Sequence, residues 1–327
     1  MNKTYGVTAI GNAIVDILSQ TTDEFIASQA GFGMNRGAMT LIDETRASDL
    51  YKILGPTTEM SGGSAGNTMA AYASFGGNGA FIGKVADDQF GKVFIHDTKA
   101  IGVHFDTPPL RHGPATAQCL ILVTPDAQRT MNTFLGASVK ITEEDINEDL
   151  IANSEITYLE GYLYDDDQAK AAFFKAAELT RKHGGKLALT LSDPFCVVRH
   201  RDDFKRLVDN HVDILFANEE EIRELTKISD TEQAHKSIAD KCSISVVTMG
   251  KSGSSIISGT EHVRVASIAP RELVDTTGAG DAYAAGFLFG LTEKKPLAEC
   301  GRLGSLAASE VISHMGPRPL TPLKTLL

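Results

Sequence analysis

From about Gly79 onward, short β-rich runs alternate with longer helical ones, and that alternation limits the fold more than any other feature of the chain. Residues Ala80–Val85, Ile156–Gly161, Lys186–Leu191, Ile214–Ala217 and Ile244–Met249 read as buried strands. Asp166–His183, Glu219–Thr226 and Thr231–Lys241 read as the helices between them. Strands joined through helices form a parallel sheet with crossover connections, so the reading is an α/β fold. A chain of 327 residues with 42% hydrophobic content has enough apolar surface for one large core.

Two stretches break the pattern, about 17–41 and about 103–134. The second holds a hairpin signal, Ala117–Thr124 and Arg129–Phe134 around the turn Pro125-Asp126-Ala127-Gln128. A small β-sheet assembled from these two insertions would lie over the carboxyl ends of the parallel strands, where open α/β sheets bind ligands, and act as a lid. The expectation is one domain over residues 1–327 carrying that lid.

A net charge of −11 argues against a nucleic-acid or anionic-membrane partner. The opening residues, with Asn12 and Asp16 interrupting the apolar run, fit a strand better than a signal peptide, and no run is long enough to span a bilayer. Cys119, Cys196, Cys242 and Cys300 are scattered without a C-x-x-C pair and read as buried thiols of a cytoplasmic protein.

Chemistry concentrates in Asp275-Thr276-Thr277-Gly278-Ala279-Gly280-Asp281, directly before an apolar helical stretch, Ala282–Leu291. A turn nearly free of side chains presents backbone N–H groups at the positive end of the helix dipole, which is a cradle for an anion. Asp281 would repel that anion unless it had a task such as taking a proton from an attacking hydroxyl. The same residues also serve as ordinary loop-to-helix punctuation.

Four further segments bear on the reading. In Ser61-Gly62-Gly63-Ser64-Ala65-Gly66-Asn67, Gly62 and Gly63 allow close backbone approach, and the Asn67 amide suits vicinal sugar hydroxyls; a capped turn is the plainer alternative. After the opening strand Val7–Ile10 stands Asp16, placed either to take two hydrogen bonds from ring hydroxyls or to solvate a loop. In Asn218-Glu219-Glu220-Glu221, Asn218 and Glu221 share a helix face and are read either as a helix cap or as the holders of a hydrated Mg²⁺. The segment Val246–Gly253 ends a strand in a Gly-bounded turn before Ser254–Ser258, without the spacing of a Walker loop.

Together these motifs resemble the signatures of the ribokinase-like (PfkB) carbohydrate and nucleoside kinases. D-T-T-G-A-G-D followed by A-Y-A-A-G-F is similar to their C-terminal signature, and G-G-S-A-G-N with the later G-K-V-A-D-D-Q-F-G to their N-terminal one. N-E-E-E and T-M-G-K-S-G stand in the expected order. Within the family, G-N-A-I-V-D-I, Tyr158–Tyr162 and Ser305–Pro319 are most similar to the bacterial adenosine kinases.

The resemblance implies a three-layer α/β/α sandwich with a mostly parallel central sheet and a small β-sheet lid. It implies an ATP- and Mg²⁺-dependent phosphotransferase acting on the 5′-hydroxyl of adenosine, or on another nucleoside or a sugar such as ribose or fructose; a nucleoside-binding protein without catalysis is the alternative of a different class. By position, Asp281 matches the general base and Gly278, Ala279 and Gly280 the anion hole. Asn12, Asp16, Gly62, Gly63 and Asn67 match the substrate-binding positions, Asn218 and Glu221 the Mg²⁺ motif, and Thr248, Gly250 and Gly253 the nucleotide loop. Asp275 matches a position that helps hold a monovalent cation such as K⁺ in some members. Two features depart from the pattern or stay open: Met249 where many relatives carry a polar residue, and Phe134-Leu135-Gly136-Ala137, suited either to stacking on a base or to core packing. A monomer or homodimer is expected, with small molecules as the partners.

Overall fold

Alternate residues along each central strand face two different cores. In Ile214–Asn218, Ile214 and Phe216 enter one hydrophobic cluster while Leu215 and Ala217 enter the other. A sheet buried on both faces needs helices on both, and the computed structural model, which describes residues 3–126 and 128–327, has them. The expected turn residue Ala127 lies outside the described residues.

The chain runs through β1 (Tyr5–Ile10), β2 (Ile14–Gln20), β3 (Met39–Leu41), β4 (Thr57–Gly62), β5 (Gly79–Ile82), β6 (Ala117–Val123) and β7 (Arg129–Phe134). It continues with β8 (Ser154–Glu160), β9 (Lys186–Thr190), β10 (Ile214–Asn218), β11 (Ile244–Thr248), β12 (Ser254–Ser258) and β13 (Glu261–Val265). The main sheet has the order β13-β12-β11-β10-β9-β8-β1-β5; the strands from β5 to β11 are parallel, and the β11–β12 and β12–β13 pairs antiparallel. The helices are α1 (Asp23–Ser28), α2 (Glu44–Ile53), α3 (Ser64–Ser74), α4 (Gln89–Ala100), α5 (Glu148–Ala152) and α6 (Asp167–Lys182), then α7 (Pro194–Asn210), α8 (Glu219–Thr226), α9 (Thr231–Ala239), α10 (Ala279–Thr292) and α11 (Leu297–Val311). Helices α3, α10 and α11 pack on one face, and α5 to α9 on the other.

The lid is a separate five-stranded sheet, β3-β7-β6-β2-β4. Its composition corrects the expected insertions of 17–41 and 103–134. Strand β2 begins at Ile14, so Asp16 sits within a lid strand rather than a loop, and β2 takes β4 as its antiparallel partner, from Ile14 opposite Gly62 to Ser19 opposite Thr57. Residues 103–110 belong to the main sheet's edge instead: the Phe81 N–H donates to His104 O at 2.8 Å, and Leu110 bridges Ala86. The short polar run of β4, Thr-Thr-Glu-Met-Ser-Gly, carries too little apolar alternation to announce a strand.

Helix α10 positions the site and is apolar nearly all round, with Ala282 to Gly290 buried without interruption. Tyr283 Oη donates to Ser254 Oγ at 2.6 Å, fastening its first turns to β12. Phe287, fully buried, meets Phe216 edge-on at 5.5 Å between centroids and stacks on Tyr283 at 6.3 Å. Phe287→Ala is expected to cost about 3–5 kcal/mol of unfolding free energy, measured by urea denaturation; a change below about 1 kcal/mol would show that α10 repacks freely.

Candidate active site

Helix α10 begins at the anion cradle. Gly278, its N-cap, has a φ of +76° and abuts Pro317, where a Cβ would come within 2.7 Å. The first closed helical hydrogen bond runs from Ala282 N–H to Gly278 O at 2.8 Å. Ala279 N–H instead turns back to Thr276 O at 3.2 Å, so of the three amides expected at the anion hole this one is engaged within the turn. Asp281 in the first turn accepts from Ser64 Oγ at 2.6 Å, a contact between the starts of α10 and α3. Burial pushes the Asp281 carboxyl up to about 6, against the opposing hydrogen bonds of Ser64 and Asn67.

Asp16, Gly63, Asn67 and Asp281 line one cavity of about 460 Å³. Asp16 is 7% exposed, and burial raises its carboxyl to about 6 while Arg318 and Arg129 pull the other way. Arg318, not foreseen from sequence, donates from Nε to Asn67 Oδ1 at 3.1 Å and from Nη1 to Ser61 Oγ at 2.7 Å, fixing the amide's orientation. Two expected substrate contacts lie behind the wall. Gly62 is buried at the end of β4, where a side chain would overlap the Asp16 carboxylate. Asn12 donates to Glu160 Oε1 at 2.7 Å and accepts from Ser138 Oγ at 2.8 Å. Glu160 in turn accepts from Ala65 N–H at 2.8 Å, and burial lifts its carboxyl to about 7. This buried chain holds the first turn of α3 in place.

Asn218 and Glu221 form a reciprocal cap on α8. Asn218 Oδ1 accepts from Glu220 and Glu221 N–H at 2.9 and 2.8 Å, and Glu221 Oε2 accepts from Asn218 N–H at 2.9 Å. Both readings of this motif have support, because both residues also line the cavity. Burial, then the charges of Asp193, Glu220 and Asp281, raise the Glu221 carboxyl to about 7 against its hydrogen bond from the Asn218 backbone. Hard oxygen donors that resist ionising next to one another are a setting a divalent cation relieves. Among the described residues no three His, Cys, Asp or Glu groups converge to hold a metal alone, so an ion here would be shared with phosphate oxygens.

Thr248, Gly250 and Gly253 line a second cavity of about 530 Å³, walled by Ile268, Pro270, Leu273 and Ile312. Met249 packs against the core on the α5–α9 face of the sheet, so its apolar side chain is structural. The two cavities share Thr248, Thr276, Ala279, Gly280 and Tyr283, and therefore meet at the start of α10.

The lid supplies the roof through period-2 alternation: Ile14 and Asp16 of β2, Cys119 and Ile121 of β6, and Arg129, Met131 and Thr133 of β7 all line the first cavity. Phe134, opposite in phase, is 8% exposed and belongs to the core, so core packing is its role and no stacking platform arises there. Arg129, missed from sequence, is 6% exposed; its Nη2 lies 2.7 Å from Asp275 Oδ2, while Nε and Nη1 have no hydrogen-bond partner among the described residues. Asp275 also accepts from Thr277 and Gly316 N–H, each at 3.0 Å, so its carboxylate is held by protein donors. A charged residue in phase with the cleft face of an apolar hairpin was the signal available for Arg129.

A carboxyl with a folded-state pKa above its unfolded value favours folding at low pH, and that contribution is lost as pH rises through about 6. Asp281→Asn should therefore raise the melting temperature by roughly 2–4 °C at pH 8, the gap closing below about pH 4. An equal or lower melting temperature at pH 8 would show that Asp281 bears no burial cost.

Comparison with known proteins agrees with this arrangement. The family model "pfkB family carbohydrate kinase" matches residues 40–324. The fold superposes with a TM-score of 0.90 on adenosine kinase from Sinorhizobium meliloti, at 49% identity over 98% of each chain. It superposes at 0.91 on a probable sugar kinase from Rhizobium etli, at 46% identity over 99% of this chain and 98% of that one. A 5-dehydro-2-deoxygluconokinase from Geobacillus kaustophilus is 29% identical over 267 residues, 78% of this chain and 80% of its own length. With an anion cradle, a carboxylate poised beside it and a match over most of its length, the chain belongs to the pfkB carbohydrate kinase family and is a phosphotransferase that acts on an alcohol group.

Proposed function

We propose that this kinase phosphorylates the 5′-hydroxyl of adenosine with ATP and Mg²⁺. The observation that carries the reading is the mixed lining of the first cavity: Asp16, Gly63 and Asn67 offer hydroxyl-binding groups, and Ile14, Ile121 and Met131 of the lid add apolar surface. A nucleoside has that same division, a ribose with vicinal hydroxyls and a flat base; a free sugar has nothing to set against the apolar roof. The 49% identity to an adenosine kinase points the same way.

In this reading Asp281 accepts the proton as the 5′-oxygen attacks the γ-phosphorus in line, and the amides at the start of α10 stabilise the transferring group. Arg129 presents unpaired N–H donors from the lid to the same charge. The apolar second cavity takes the nucleotide base, and the Thr248–Gly253 turn passes its ribose and phosphates toward the cradle. Bound with the triphosphate, Mg²⁺ supplies charge neutralisation between phosphate oxygens; Glu221, oriented by Asn218, would hold it through water. The lid excludes water that would compete as acceptor.

Nucleotide consumption by the purified chain, with product mass confirmed, should be strong with adenosine and weak with ribose or fructose. The 46% identical probable sugar kinase makes the sugar the reading to beat, and preference for a free sugar would overturn adenosine while keeping the mechanism. Asp281→Asn should lower turnover by about 10²–10⁴ with adenosine affinity retained; near-normal turnover would remove Asp281 as the base. Because the base must be ionised, kcat/KM should fall as pH drops through about 6. A pH-independent rate between 5 and 8, as rough limits, would contradict that role.

A further inference from the structure

Ser192 holds a backbone conformation that nothing in the reaction above requires. Its φ is +71°. The other non-glycine residues with positive φ among the described residues, Lys227 and Lys294, are exposed and finish helices α8 and α10, an ordinary use of that conformation. Ser192 finishes no helix. It lies between β9 and Asp193, the N-cap of α7.

Asp193 N–H donates to Leu191 O across Ser192 at 2.9 Å, closing a three-residue turn. With a central φ of +71° this is the classic γ-turn, the rare and strained form. Its surroundings fix it: Leu191 N–H donates to Phe216 O at 3.2 Å, Tyr162 Oη to Ser192 O at 3.3 Å, and Cys196 N–H to Asp193 Oδ1 at 2.7 Å. The product of these constraints is one hydroxyl. Ser192 lines the first cavity, and its Oγ is buried with no hydrogen-bond partner among the described residues. Strain held by several neighbours, at a residue that lines a cleft and carries an unsatisfied donor just beneath its surface, is the pattern of a ligand-binding position.

Strand order identifies the ligand group. Acceptor-side residues issue from the β1 end of the sheet, where Asp16 follows β1 and Glu160 ends β8. The turn lining the donor cavity follows β11. Between them lie β9 and β10, whose carboxyl ends carry Ser192 and Asn218, so Ser192 stands where a triphosphate would cross from one cavity to the other. Around it Asp193, Glu221 and Asp281 are all carboxylates. Asp281 and Glu221 already accept other hydrogen bonds, as does Asp193, and the Ser192 O–H is left for an incoming acceptor.

Resting on the kinase reading, we propose that Ser192 is a further ligand-binding residue, its Oγ–H donating to a phosphate oxygen of the bound nucleoside triphosphate, and that the γ-turn holds it there. Calorimetry on the full chain tests this with the Mg²⁺ complex of a non-hydrolysable ATP analogue and, separately, with adenosine. Ser192→Ala removes the hydroxyl and keeps the turn; Ser192→Gly removes the hydroxyl and the strain. Both should weaken analogue binding about tenfold and leave adenosine affinity unchanged, and Ser192→Gly should also melt higher than wild type. A merely structural serine would not yield a protein that is more stable and binds nucleotide more weakly.

Wild-type analogue affinity in either folded variant would overturn the assignment, as would a loss falling on adenosine instead. Wild-type protein that binds neither ligand would sink the kinase reading itself, and the Ser192 assignment with it. Wild-type protein that binds both, beside variants that bind equally well, would sink the Ser192 assignment alone.

Discussion

The hydrogen bond from Ser64 Oγ to Asp281 Oδ1 joins residues 217 positions apart and brings the first turns of α3 and α10 together. Each helix start has its own reason to be where it is. α10 is seated by its unbroken apolar surface, and α3 by Glu160, which takes the Ala65 N–H at 2.8 Å. Asn12 steadies Glu160 at 2.7 Å, and Ser138, just past the lid hairpin, steadies Asn12 at 2.8 Å. A chain of polar contacts, buried as far as Ala65, thus runs from the lid's exit to Asp281, and each member satisfies the next. Breaking it anywhere leaves a buried polar atom unpaired, so the geometry is held by the cost of loosening it.

The main sheet was legible because burial on both faces writes itself as continuous apolar strands between amphipathic helices. Runs such as Ile214–Ala217 and Ile244–Met249 appear in the structure almost as read. The lid was half legible. The β6 strand of its hairpin is strongly apolar and buried at every residue, whereas β4 is polar and exists because β2 lacks a partner on that side, a tertiary demand that leaves no local trace.

The site divides along the same line. Asp281, Asp16, Gly63 and Asn67 reach one cavity as their motifs suggested, because turns and strand ends are encoded locally. Asn12 and Gly62 sit one layer back, since adjacency in sequence does not say which side of a strand a group faces. Arg129, Arg318 and Ser192 each belong to segments that look unremarkable alone; only the packing of lid, C-terminal segment and β9 turn brings Arg129 and Ser192 to the cleft and Arg318 behind Asn67.

Charge placement follows from burying several carboxylates near one another. Asp16 adds to the cost of ionising Asp281, and Asp281 to that of Glu221, while Arg318 and Arg129 offset part of the cost at Asp16. Arg129 is the more consequential of the two. It stands on lid strand β7 and pairs with Asp275 in the loop that leads into the cradle, both side chains under a tenth exposed. The ion pair therefore links lid and turn in a weakly screened setting, with Nη2 on the carboxylate and Nε and Nη1 without a hydrogen-bond partner among the described residues. An anion entering the cradle meets a cation already positioned by the fold, so its binding energy is not spent on ordering a long side chain, and the lid that carries that cation is drawn to the charge it covers.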